Sequence, residues 1–86
     1  MSSDLLDVAE RLKRVFDGAE RGDEAGLLRE WLPLARARLE RGGEGHFVRP
    51  FRSVLARVEK AVEVGGPLSF DLVDRIVRVS REAAKG

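Results

Sequence analysis

The sequence contains no cysteine and no tyrosine, and only one histidine in 86 residues. Without cysteine the chain has no disulfide, no thiolate chemistry and no cysteine-ligated zinc. No apolar run approaches the roughly 18 residues that a membrane-spanning helix needs, and the first residues lack the basic start and apolar stretch of a secretory signal. We therefore expect a soluble, cytoplasmic protein that has no membrane partner.

Asparagine, glutamine and threonine are also absent, and the one methionine is Met1. Thirteen of the 16 basic residues are arginine. Selection by heat removes Asn, Gln, Cys and Met, whereas a GC-rich genome favours Arg, Ala, Gly and Val. Both explanations, a thermophile or a high-GC genome, indicate a prokaryotic cytoplasm, and the composition does not separate them.

Apolar residues recur at steps of three and four along the whole chain. This is the spacing of one face of an α-helix and not the alternation of a β-strand. Four such stretches are separated by Gly22, by the glycine-rich run 42–45 and by the run 65–67. The pattern predicts one all-α domain over residues 1–86, built as a small four-helix bundle.

The ends of these helices carry recognisable capping residues. Ser3 is suited to cap the first helix, Asp23 the second and Ser69 the fourth. The first helix is expected to end by Gly22, the glycine that follows a basic last turn, and Gly18 is the alternative end.

The second helix contains Pro33, which lacks an amide hydrogen and clashes with the preceding turn. This segment is therefore either kinked at Pro33 or split there into two short helices. Trp31 lies on the apolar stripe just before the proline. We interpret it as a core residue, with an interface anchor as the alternative because tryptophan is enriched among interface hot spots.

Some apolar residues fall off the four stripes, namely Leu34, Val48, Val64 and Val79. Scattered exposed aliphatic residues are normal, but small domains also gain core by pairing with a second copy. A small homo-oligomer is therefore one of the expected states, and the candidate interface residues are Trp31, Leu34 and Val48.

In the first and last helices, acidic residues precede basic residues by four positions. This order predicts ion pairs along solvated helix faces, each stabilising by about 0.2–0.5 kcal/mol. The predicted pairs are Asp7–Arg11, Glu10–Arg14, Asp17–Arg21, Asp71–Arg75 and Asp74–Arg78.

The centre of the chain is basic. Residues 31–58 hold six bases and two acids, whereas residues 1–30 carry a net charge of −3. Arginine binds phosphate or carboxylate through two hydrogen bonds, which makes this centre a candidate for contact with an anion or a nucleic acid. The candidate residues are Arg38, Arg41, His46, Arg49 and Arg52.

The basic centre also has an ordinary structural explanation. Arg38 and Arg41 stand in a last helical turn, where cations complement the helix dipole. Phe47 and Phe51 are four residues apart, so they fit the core face of the third helix better than a stacking platform for bases. No known nucleic-acid-binding motif is present.

The single histidine, His46, has no second histidine or cysteine within ligand spacing. Catalytic and metal sites need several convergent groups, so we assign no catalytic residue, no metal site and no cofactor, and an enzyme is the less favoured class.

We predict a non-catalytic helical module that acts in protein–protein interaction or regulation and can self-associate. In that case the acidic first helix would meet the basic centre of another copy. A nucleic-acid-binding module that uses the central arginines is the alternative. A small all-α enzyme subunit that binds an anionic metabolite is a third hypothesis, and it requires a concave pocket.

Overall fold

The structure, a computed structural model, describes residues 4–41, 48–66 and 68–85. Within these ranges the chain forms four helices, α1 (Asp4–Phe16), α2 (Glu24–Glu40), α3 (Val48–Val64) and α4 (Phe70–Lys85). The helices pack on one another around an apolar core. The prediction of a small all-α four-helix bundle is confirmed.

Each helix packs against two neighbours. α1 and α3 both lie between α2 and α4. Residues of α2 and α4 also meet across the centre, where Trp31 contacts Ser80. Because α2 and α4 occupy the short diagonal of the bundle, α1 and α3 lie at its two opposite outer corners.

Three contacts define the two ends of the bundle. The Lys13 ammonium at the end of α1 lies 5.3 Å from the ring centroid of Phe70 at the start of α4. Arg57, just past the middle of α3, lies 3.5 Å from Asp71 in the first turn of α4. At the other end, the last turns of α2 and α4 meet through Arg38. We name this second end the lower end. It holds the starts of α1 and α3 and the last turns of α2 and α4.

α1 ends earlier than expected. Gly18 takes φ +82°, a left-handed conformation that favours glycine, and the Ala19 amide donates to the Arg14 carbonyl at 2.9 Å. This is the hydrogen-bond pattern of a helix closed by glycine. The predicted end at Gly22 is therefore wrong and the alternative end at Gly18 is right. Ala19, expected on the apolar face, is exposed beyond the helix.

α2 is one helix that runs through Pro33, so of the two alternatives the structure has the unsplit one. Pro33 is exposed. Asp23 occupies the N-cap position of α2 as predicted, but its side chain makes no capping hydrogen bond. Ser69 does cap α4, because its hydroxyl oxygen accepts a hydrogen bond from the Leu72 amide at 3.1 Å.

The apolar stripes of all four helices face the interior. Trp31 and Phe51 are the largest fully buried side chains, with their ring centroids 5.9 Å apart. The Trp31 indole N–H donates to the hydroxyl of Ser80 at 2.9 Å, and both residues are fully buried. Val79, expected off the stripe, is instead buried in the core. Ala84, expected on the buried face, is exposed.

Candidate functional site: the arginine face of α3

The central arginines take different roles in the structure. Two of them form ion pairs between helices. Arg36 donates from Nε and Nη2 to one carboxylate oxygen of Glu59, at 3.1 and 2.7 Å, and so joins α2 to α3. Arg57 joins α3 to α4 through Asp71. These two arginines stabilise the bundle and have acidic partners within the chain.

Arg38 lies at the lower end of the bundle and is half-buried. Its Nε donates to the carbonyl of Ala83 at 3.4 Å, in the last turn of α4. Helix ends expose carbonyl groups that carry partial negative charge, and a cation beside them is favourable. Arg38 therefore serves the end of α4. Arg41 follows the last residue of α2 and is exposed.

Arg49 and Arg52 are exposed in the first two turns of α3. Among the residues that the structure describes, no ion pair reaches either of them. They are three residues apart, so they lie next to each other on the helix surface. We name this exposed side of the first two turns of α3 the arginine face.

The arginine face stands where a helix normally carries acids. α1, α2 and α4 each have an acidic residue in the first turn, whereas α3 has none, and its first acid is Glu59. The start of a helix carries partial positive charge, so a cation in the first turn, as Arg49 is, is unfavourable by about 0.3–1 kcal/mol. Helix stability therefore does not explain the position of Arg49.

The structure thus gathers only part of the predicted anion site. Arg49 and Arg52 share one face of α3. Arg41 follows α2 and lies at the same end of the bundle. Arg38 turns away from this face towards α4. His46 lies outside the described residues.

The three candidate interface residues also differ in how far the structure exposes them. Trp31 is 0% exposed and belongs to the core, so the surface does not present it. Leu34 is half-buried and packs against the core. Val48 is half-buried at the start of α3. It precedes Arg52 by four residues and so adjoins the arginine face.

An acidic surface lies at the opposite corner of the lower end. Asp4 and Asp7 are exposed in the first turn of α1. No ion pair reaches either carboxylate within residues 4–41, 48–66 and 68–85. The first base of α1 is Arg11. We name these two residues the acidic face of α1.

The predicted ion pairs of α1 do not form. Asp17 pairs with Lys13 at 3.1 Å, and Arg14 pairs with Glu20 at 3.6 Å. The early end of α1 explains two of the three, because Asp17 and Glu20 lie beyond its last residue and meet different neighbours from those in a continuing helix. Asp7 and Arg11 both lie within α1, and nothing in the structure explains why this pair is missing.

The two pairs predicted in α4 are confirmed. Asp71 lies 2.9 Å from Arg75, and Asp74 lies 3.3 Å from Arg78. They form because α4 continues through all four positions.

Two large apolar residues are exposed at the end opposite the lower end: Val64, which was expected off the stripe, and Phe70, which sequence reasoning missed. Val64 is 69% exposed at the end of α3, and Phe70 is 62% exposed at the start of α4. The signal for Phe70 was weak, since it lies about 100° from the centre of the apolar stripe of α4 but close to the edge of the stripe at Val77. The Lys13 ammonium lies over its ring.

The groove between α3 and α4 has a volume of about 380 Å³. Its arginines, Arg75 and Arg78, are already paired with aspartates of the same helix. The groove therefore gathers no unpaired cations for an anionic metabolite. Among the described residues, no group of three or more acidic or histidine side chains is placed to hold a metal ion. No helix in those ranges is long and apolar enough to cross a bilayer.

Comparison of the chain with protein-family models, with curated proteins and with solved structures finds no match. The function therefore has to be inferred from the geometry of the chain itself.

Proposed function

We propose that the chain is a non-catalytic protein-interaction module that docks through the arginine face of α3 onto an acidic surface of a partner protein. One observation carries the proposal. Arg49 and Arg52 are exposed and have no ion pair within the described residues, and Arg49 stands in a first helical turn whose dipole it opposes.

A carboxylate at this position would satisfy two needs at once. It would accept paired hydrogen bonds from a guanidinium group, a geometry that arginine provides and lysine does not. It would also lie at the positive end of α3, where anions are favoured. Hydrogen bonds to charged groups contribute about 1.5–3 kcal/mol each, so a few such contacts give measurable binding.

Several features favour an acidic protein surface over a nucleic acid. Arg49, Arg52 and Arg41 would supply only about three phosphate contacts, which is few for binding to a nucleic acid. Phe51, the aromatic residue next to Arg52, is fully buried and unavailable for stacking on a base.

The cellular setting in this proposal is a prokaryotic cytoplasm. Only the composition supports this setting. The absence of cysteine is compatible with a reducing compartment but does not require one.

The experiment compares two labelled probes of equal formal charge, a short Glu-rich peptide and a single-stranded DNA, by fluorescence anisotropy. We expect the peptide to bind, and the R49A/R52A variant to bind it at least about tenfold more weakly, which corresponds to about 1.4 kcal/mol. The matched control is R29A/R81A, which removes two exposed arginines on α2 and α4 and should bind as the wild type does.

Two outcomes would contradict the proposal. One is unchanged peptide binding by R49A/R52A. The other is DNA bound more tightly than the peptide, with a slope of log K against log salt steeper than about −2, which would establish the nucleic-acid alternative.

A further inference from the structure

Charges of opposite sign lie at the two outer corners of the lower end, and no ion pair reaches them from residues 4–41, 48–66 or 68–85. α1 starts with Asp4 and Asp7, and α3 starts with Arg49 and Arg52. Within one chain these faces cannot meet, because α1 and α3 occupy opposite corners of the bundle and pack on α2 and α4 instead. They can meet only between two molecules.

We propose that the acidic surface bound by the arginine face is the acidic face of α1 in a second copy of this chain. This inference rests on the proposed function and names its partner. The two faces carry complementary charges at the same end of the bundle.

The positions match in spacing. Asp4 and Asp7 are three residues apart, as are Arg49 and Arg52, so both pairs span about 4.5 Å along the helix axis. Each pair also belongs to the first two turns of its helix.

The positions match in direction as well. α1 and α3 both run upwards from the lower end, so they are parallel to each other. Moving a copy sideways without turning it over therefore brings its α1 alongside α3 of the first copy with both starts level. The step of three residues turns Asp7 and Arg52 by about 60° to opposite sides of the contact, so the two acids and the two arginines meet as one group of four charges and not as two level pairs. Each carboxylate also lies beside two positive helix starts, its own and that of the neighbouring copy.

This contact joins two different surfaces, so it is a head-to-tail contact. Each added copy leaves one arginine face and one acidic face unoccupied. Such contacts build a closed ring when the rotation between copies closes, and an open chain when it does not. With rising protein concentration the mean mass should therefore exceed twice the monomer mass, where a two-fold dimer would stop.

The contact should also depend on salt. The four charged side chains are exposed, and charges in water are screened over about 8 Å at physiological ionic strength and over about 30 Å at 0.01 M. We expect assembly at about 0.01 M salt and its loss at about 1 M.

Charge reversal tests the pairing. The variants D4R/D7R and R49D/R52D each present faces of one sign, so each should be monomeric at low salt by sedimentation velocity. Mixing the two variants should restore assembly, and so should the four-fold variant D4R/D7R/R49D/R52D, in which both faces are reversed. The control R29D/R81D makes the same change in net charge as R49D/R52D and should assemble as the wild type does.

Circular dichroism of each variant shows whether it is folded. The mixing experiment also separates a broken contact from unfolding, because two unfolded variants would not restore assembly when mixed. A wild type that stays monomeric at low salt and high concentration overturns this inference. So does assembly that persists in either reversed variant.

The two proposals fail separately. If the wild type is monomeric but still binds the Glu-rich peptide through Arg49 and Arg52, the self-association is refuted and the docking function remains. If it neither assembles nor binds the peptide, both are refuted.

Discussion

The buried hydrogen bond between Trp31 and Ser80 should be one of the most sensitive points of the fold. The indole N–H donates to the serine hydroxyl at 2.9 Å, and both side chains are fully buried. The bond spans the short diagonal of the bundle, from α2 to α4. In Ser80→Ala the only change is the loss of one oxygen, so the indole N–H is left without an acceptor in a dry core.

The expected cost is set by that unpaired donor. A buried polar group without a partner destabilises by about 1–3 kcal/mol. Alanine is the better helix former, and this offsets the loss by about 0.5 kcal/mol. We therefore expect Ser80→Ala to lower the free energy of unfolding by about 1–2 kcal/mol. For a domain of this size, a loss of 1 kcal/mol lowers the melting temperature by about 4–8 °C.

Urea unfolding followed by far-ultraviolet circular dichroism measures this loss. With a slope of about 1–2 kcal/mol per M, the midpoint should fall by about 1 M with the slope unchanged. Ser53→Ala is the matched control, because Ser53 is exposed on α3 and the same chemical change there should be neutral or slightly stabilising.

A double-mutant cycle isolates the hydrogen bond. Trp31→Phe removes the donor, and in that background Ser80→Ala leaves no unpaired indole N–H. We expect the two changes to be non-additive by about 1–2 kcal/mol. A Ser80→Ala midpoint equal to that of the wild type, or full additivity in the cycle, would refute the reasoning.

Three further predictions concern the fold and are measured as urea midpoints. Pro33→Ala should raise the free energy of unfolding by about 2 kcal/mol. In a helix interior alanine is about 3 kcal/mol more favourable than proline, and α2 runs through this exposed position, but alanine also gives the unfolded chain more conformational entropy, which offsets part of the gain. A lower midpoint would contradict this prediction. Phe51→Ala should cost about 3–5 kcal/mol, whereas Phe70→Ala, at an exposed site, should stay within about 0.5 kcal/mol, and equal losses would mean that the core is wrongly placed. Gly18→Ala should cost about 1–2 kcal/mol because its φ is +82°, and a neutral result would mean that α1 does not end there.

The fold was predictable because periodicity and capping residues point to the same answer. The stripes give four helices, and Ser69 caps α4 as expected. The errors occur where local signals compete. Gly18 and Gly22 are both plausible ends for α1, and only the hydrogen bonds made after Phe16 decide between them. Val79 lies off the ideal stripe but is buried, because the stripe of α4 is wide enough to face α3 as well as the centre.

The candidate site was less predictable, because a count of charges along the chain says nothing about which charges find partners across it. Arg36 and Arg49 look equivalent in sequence. In the structure Arg36 faces Glu59, which is 23 residues away, and Arg49 faces none of the described acids. The sequence therefore shows that the centre is basic. Only the folded structure shows which of its arginines have no acidic partner among the described residues.

The absence of an acid on the first turns of α3 suggests one more test, which separates stability from docking. Ala56 is exposed and follows Arg52 by four residues. In Ala56→Glu the new carboxylate can pair with Arg52 within the helix, which should leave stability unchanged or raise it by a few tenths of a kcal/mol. The same pair should weaken both the binding of the Glu-rich peptide and self-association, because Arg52 is then engaged within its own chain.

Ala25→Glu adds the same charge to the exposed first turn of α2 at the far end of the bundle and is the control. If Ala56→Glu is as stable as the wild type and docks equally well, then Arg52 takes no part in the contact. A variant with the urea midpoint of the wild type but weaker docking would show that the positive charge at the start of α3 serves a partner and not the fold.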